Sequence, residues 1–210
     1  MLLSSHTNDV VVGIDPGKEG AFAFLAADGS LVAIHEMPCV TVLVNKKPRP
    51  RVTPAGIASL LRQYNISHVF LERVGSMQGE GAAGAFAFGV SCGQIEGSVA
   101  TLGIPYTLIT PQSWRRSVGI PSGSNTTLRK EAAVQRAIQL WPSHSDKFMR
   151  INRKGRSVGI DGVADAALIA YAGMTRNLRG DAQIKTKRRK PQIDSSPRTL
   201  DSIESDLALD

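Results

Sequence analysis

Short apolar runs closed by turn residues dominate the first half of the chain, and longer segments of helical period dominate the second. Residues 9–14 (DVVVGI) are mostly β-branched and stop at Asp15-Pro16-Gly17, which predicts a strand buried on both faces. Residues 20–25 and 31–37 repeat the pattern across Ala27-Asp28-Gly29-Ser30, a hairpin signal, so three antiparallel strands open the domain. Residues 40–51 read as a basic connection punctuated by proline. Thr53 and Pro54 suit the N-cap and first position of a helix running to about Tyr64. Residues 67–72 predict a fourth strand, and a glycine-rich loop over 74–84 leads into a weakly polar helix ending near Leu102. A strand over 104–109 and helices over 111–118, 125–141 and 161–175 complete the pattern, with an irregular basic stretch over 143–159. Residues 181–210 offer few anchors for a core and read as a disordered tail, leaving one domain over 1–180.

Composition narrows the classes of function. No apolar run reaches the ~18 residues a membrane span requires, so no membrane partner is expected. Residues 1–10 carry no cationic stretch followed by an apolar run, so no secretory signal is expected. Cys39 and Cys92 are too few for a disulfide framework. Lys and Arg number 25 against 18 Asp and Glu, a net charge of +7 with an isoelectric point near 9.7. Residues 181–210 hold six basic and six acidic residues, so the whole excess lies in the domain. Within 110–156 there are ten basic residues and only Glu131 and Asp146 as acids. An excess of that kind points to a polyanion such as nucleic acid, or simply to a basic soluble surface.

Four carboxylates stand where an apolar core would not want them. Asp15 ends the first strand and Glu72 the fourth, while Asp161 and Asp165 open a helix otherwise built of Val, Ala, Leu and Ile. Their four-residue spacing puts the last two on one helix face. If the first and fourth strands are neighbours, Asp15 and Glu72 lie side by side and the helix closes the cluster. Carboxylates so packed repel one another unless divalent cations neutralise them, and hard oxygen donors suit Mg²⁺ or Mn²⁺. Taken singly, Asp15 also reads as a turn residue, Glu72 as a partner of Arg73, and Asp161 as a helix cap.

Five ordered motifs carry a resemblance. They are GIDPGKEGA (13–21), LERVGSM (71–77), FGVSCGQIEG (88–97), ITPQSWRR (109–116) and DGVADAALIA (161–170). Together, over about residues 9–174, they resemble the RuvC-type Holliday junction resolvases, in particular the phage-encoded and chloroplast branch. The resemblance implies an α/β, RNase H-like fold: a mixed five-stranded sheet, three strands antiparallel and then two parallel, flanked by helices. It implies a homodimer that nicks two opposed strands of a four-way DNA junction with two Mg²⁺ per site, Mn²⁺ substituting, leaving 5′-phosphate and 3′-hydroxyl ends. By position, Asp15, Glu72 and Asp165 match the family's metal ligands. Asp161 departs from the bacterial pattern, whose partner residue falls at Gly162; the chloroplast-like branch has His at the position of Asp161, so a ligand or water-activating role is implied there. The implied compartment is the cytoplasm of a bacterium or phage-infected host, or an organelle if the source is eukaryotic.

Candidate DNA contacts follow from charge and position. They are Lys18 beside Asp15, Lys46, Lys47, Arg49 and Arg51 in the basic connection, and Arg115 and Arg116 after Trp114. Lys147, Arg150, Arg153, Lys154 and Arg156, just before the last helix, form the densest group; each of these also reads as a solvated surface charge. Met77, in the loop after Glu72, is the sizeable apolar side chain available to wedge against bases, and it reads equally as an incidental residue of a flexible glycine loop. Ala85, Gly89, Gly93 and Gly97 recur every four residues as a face with almost no side chain, which would either form the dimer contact or pack on the chain's own sheet. Strict four-way specificity and a broader action on forks, flaps and three-way DNA are not separable by sequence. A non-catalytic DNA-binding module is a third reading, against which the presence of all four acids argues. An actin-like ATPase needs a second lobe that 210 residues do not accommodate.

Overall fold

The computed structural model describes residues 9–44, 46–75, 81–121, 125–176 and 182–184. Strand β1 (Val10–Asp15) pairs antiparallel with β2 (Ala21–Ala26), and β2 with β3 (Leu31–Glu36). Gly29, at φ 85°, and the Asp28 carboxylate, which accepts from the Ser30 amide at 2.9 Å, shape the β2–β3 turn. The opposite edge of β1 pairs parallel with β6 (Ile66–Glu72), which pairs parallel with β7 (Tyr106–Ile109). These are the five strands the apolar runs predict, in the expected senses.

Two ribbons and one edge strand depart from the sequence reading. The basic connection expected over 40–51 is an antiparallel pair, β4 (Cys39–Val44) and β5 (Lys47–Val52). Pro48 and Pro50 suggest a break, yet proline is tolerated in an edge strand where its missing N–H would face outward. The stretch expected to be irregular holds a 3₁₀ helix (Pro142–Phe148) and a short ribbon of β8 (Met149–Ile151) and β9 (Ser157–Gly159). The tail contributes β10 (Ala182–Ile184), antiparallel to β7, so the sheet has six strands in the order β10-β7-β6-β1-β2-β3. The expectation for residues 185–210 lies outside the described residues.

Helices cover both faces of the sheet. On one side α1 (Pro54–Leu61) and α2 (Ala82–Thr101) contribute Ile57, Leu61, Ile95 and Val99 to a core with Val12, Ile14, Phe22 and Phe24. On the other lie α3 (Pro111–Ser117), α4 (Thr126–Leu140) and the alanine-rich α5 (Asp161–Arg176), packed with Trp114, Trp141 and Phe148. Helix α5 lies against β1 so closely that a Cβ on Gly13 would overlap the Ala166 carbonyl and Ala170. That approach brings the start of α5 beside the end of β1. Among the described residues no helix is long and apolar enough to cross a membrane.

Candidate active site

Parallel pairing of β1 with β6 brings their C-terminal ends together, with Ile14 opposite Leu71 and the next residues being Asp15 and Glu72. The first turns of α5 add Asp161 and Asp165, and Gly162 is the contact that seats them. A Cβ there would overlap the Glu19 carbonyl and crowd the Asp15 carboxylate, so only glycine lets the helix reach the turn after β1. All four acids line one cleft of about 890 Å³. Like charge and burial act together inside it. Burial, then the Glu72, Asp165 and Asp161 charges, hold the Asp15 carboxyl well above its ordinary range. Asp165 is pushed up to about 7, chiefly by burial and next by Glu72. Burial also raises Glu72, which is only 7% exposed, against opposing pulls from Trp114 and Arg115.

Two of the acids have internal partners that their positions in the chain do not disclose. Thr110 caps α3, its side chain accepting from the Ser113 amide at 3.3 Å, and Pro111 opens the helix. The helix so fixed buries Trp114, whose Nε1–H donates to Glu72 Oε1 at 2.8 Å, and sets Arg115 Nη2 3.8 Å from the same oxygen. The Arg115 guanidinium lies 4.9 Å from the Trp114 ring centroid. From α4, Lys130 Nζ reaches Asp161 Oδ2 at 2.6 Å, while Asp161 remains 43% exposed at the mouth. The pairing with Asp161 raises the Lys130 ammonium above its usual value.

The donor set consists of carboxylate oxygens, the chemistry that Mg²⁺ or Mn²⁺ takes, and their mutual repulsion is what a cation would relieve. Among the described residues, however, no three His, Cys, Asp or Glu side chains form a ready-made metal site. Glu72 is turned to Trp114 and Asp161 to Lys130, so the acids share a cleft without closing on a common point.

The expected DNA contacts divide by position. Lys18 and Arg115 line the cleft together with Arg73, Arg129 and Lys130. Arg116 is exposed but does not line it, and the group Lys147, Arg150, Arg153, Lys154 and Arg156 also lies off it. Lys46, Lys47, Arg49 and Arg51 are exposed on the β4–β5 ribbon. Met77 lies outside the described residues. Gly89, Gly93 and Gly97 face open space, which rules out packing of that face on the chain's own sheet; Ala85 is half-buried. Sequence reading gave no role to Trp114, Lys130, Arg129 or Phe88, all in or against the cleft. Trp114 sits inside the ITPQSWRR motif, the one signal that marks it.

No family model and no curated protein matches the chain. Among solved structures, it is similar to Thermus thermophilus RuvC in complex with Holliday junction substrate, with a TM-score of 0.51 and 16% identity over 83% of this chain and 98% of that one. A second T. thermophilus RuvC structure gives 0.43 and 14% identity over 78% and 94% of the two chains. The likeness to the first is one of fold: this chain has the α/β, RNase H-like architecture of RuvC.

Proposed function

We propose that the chain is a divalent-cation-dependent DNA endonuclease that resolves four-way junctions by paired nicks, acting as a homodimer in the cytoplasm of a bacterium or phage-infected host. The observation that carries this reading is the convergence of Asp15, Glu72 and Asp165 in a cleft on an RNase H-like sheet, with cations along its wall. The substrate class rests on the ordered motifs, on the likeness to a RuvC solved with junction DNA, and on the basic charge of the domain. Asp15, Glu72 and Asp165 would hold two Mg²⁺, or Mn²⁺, with Asp161 as a further ligand or an acceptor of a water proton. When bound, such cations orient a water for in-line attack on a phosphodiester and stabilise the leaving 3′-oxygen.

The chain's own residues would do the rest. Trp114 holds the Glu72 carboxylate in one orientation and keeps water from its inner side. Arg115 and Lys130 partly offset the negative charge of the cleft and would draw a phosphate toward it. Lys18 and Arg115 within the cleft, and Arg116 and the β8–β9 ribbon beyond it, would grip phosphates without reading sequence. Met77 would wedge between bases, and the Ala85, Gly89, Gly93 and Gly97 face would meet its copy in a second subunit.

The test is cleavage of labelled four-way, three-way and linear DNA, with Mg²⁺ and with EDTA. Junction nicking should require Mg²⁺ and leave ligatable ends. Asp15→Asn and Glu72→Gln should each abolish nicking and bind junctions as tightly or more so, because they remove negative charge near phosphates. A variant that nicks at the wild-type rate would refute the assignment.

A further inference from the structure

The β4–β5 ribbon stands apart from the main sheet and is built as a one-sided cationic surface. In its register Val40 faces Arg51, Val42 faces Arg49 and Val44 faces Lys47, so three cations and three valines share one face. Thr41, Leu43, Pro48 and Pro50 share the other. Residues 39–52 contain no carboxylate. Alternate residues of a strand recur at about 6.6 Å, which sets Lys47, Arg49 and Arg51 in a straight row commensurate with successive phosphates of one nucleic-acid strand. The opposing valines offer apolar surface beside the cationic side chains, and Lys47, Arg49 and Arg51 are all exposed.

What could dock here is restricted by the backbone. Pro48 and Pro50 have no N–H to offer, so the outer edge of β5 cannot receive an added strand. The cationic face meets a partner through its side chains, and Lys47, Arg49 and Arg51 in file on alternate residues match a run of phosphates. The root of the ribbon is fixed at the cleft: the Cys39 thiol donates to the Lys18 carbonyl at 3.9 Å, and the Thr53 amide donates to the Pro38 carbonyl at 3.0 Å. Lys18 lines the cleft wall next to Asp15.

We infer that this ribbon is a DNA arm, laying Lys47, Arg49 and Arg51 along the phosphate backbone of a duplex arm that leaves the catalytic cleft. The inference rests on the nuclease reading above and adds to it the element that holds the substrate away from the scissile phosphate, irrespective of sequence.

The experiment measures binding of wild-type protein to a labelled four-way junction in EDTA across a range of salt, with cleavage in Mg²⁺ as a parallel check. Each phosphate neutralised contributes about 0.9 to the slope of log affinity against log salt, so K47A/R49A/R51A should lower that slope by about 2.7 for each subunit engaged, or about 5.4 for the proposed homodimer. Arg49→Gln, the mildest change to this exposed row, should lower it by about 0.9 for each subunit engaged, or about 1.8 for the homodimer. The loss should be equal on two junctions of unrelated arm sequence. Thr41→Ala and Leu43→Ser, on the opposite face, should leave the slope unchanged, and all variants should melt near the wild-type temperature. If wild-type protein cuts junctions but both ribbon variants keep the full slope, the inference is overturned and the nuclease reading stands. If wild-type protein neither binds nor cuts junctions, both fall.

Discussion

A buried carboxylate among other carboxylates destabilises the fold that holds it unless something neutralises it. Asp165, pushed up to about 7, illustrates the sign. An unfolded aspartate releases its proton near 3.9, so between about 4 and 7 the native state retains a proton the unfolded chain has lost, and stability falls as pH rises. The full cost is borne above about 7. Asp165→Asn should therefore melt about 2–8 °C higher than wild type in EDTA at about pH 8, with the difference vanishing near pH 4. Equal melting temperatures at both pH values would show that burial and neighbouring charge impose no such cost on the ionised Asp165. Trp114 gives a second test at this scale. It donates to Glu72 from a fully buried position, and partners that orient a metal ligand are typically worth about 10–100-fold in affinity or activity. Trp114→Phe should lower the junction cleavage rate by that factor and raise the Mg²⁺ concentration needed for half-maximal rate. A change in rate with no change in Mg²⁺ dependence would mean that the indole only packs.

Among the elements, glycines separate contacts the fold needs from surface it leaves open. Gly13 and Gly162 are where β1, its following turn and α5 touch, and added methyl groups there would strike backbone. Gly13→Ala should cost about 3 kcal/mol or more, or prevent folding. Gly89 and Gly93, in the middle of α2, meet nothing, so alanine at either should stabilise the isolated subunit by about 0.5–1 kcal/mol. If the face is the dimer contact, the same substitutions should weaken association in sedimentation equilibrium. The contrast also explains what sequence made legible. Strands β1, β2, β6 and β7 read clearly because a strand covered on both faces must be apolar at nearly every position. Asp15 and Glu72 stood out as exceptions to that rule, and Asp161 and Asp165 as acids opening an otherwise apolar helix. The β4–β5 ribbon did not, because prolines at outward-facing positions of an edge strand look the same in sequence as a break. Nor did the Trp114–Glu72 bond, which joins residues 42 apart through a helix whose placement depends on the rest of the core.

At the scale of the whole molecule the charge is unevenly placed, and that placement bears on which DNA is preferred. The +7 excess lies in the domain, because residues 181–210 balance. Its exposed part is carried largely on two ribbons, β4–β5 with Lys46, Lys47, Arg49 and Arg51, and β8–β9 with Arg150 and the turn Arg153, Lys154 and Arg156. In the proposed homodimer a twofold axis doubles this to four basic ribbons around two clefts. A linear duplex lies in one direction and meets only part of such an array, whereas a four-armed junction meets both subunits at once. Counterion release then predicts a steeper fall of affinity with salt for the junction than for the duplex, by about 0.9 for each additional phosphate engaged. The advantage of the junction should consequently shrink as salt rises. Asp15→Asn protein, titrated against both DNAs over the same salt range, removes cleavage from the measurement. Equal slopes, with equal affinity at low salt, would mean that branching is not sensed through the backbone. The reading would then reduce to a cation-dependent nuclease without preference for four-way DNA.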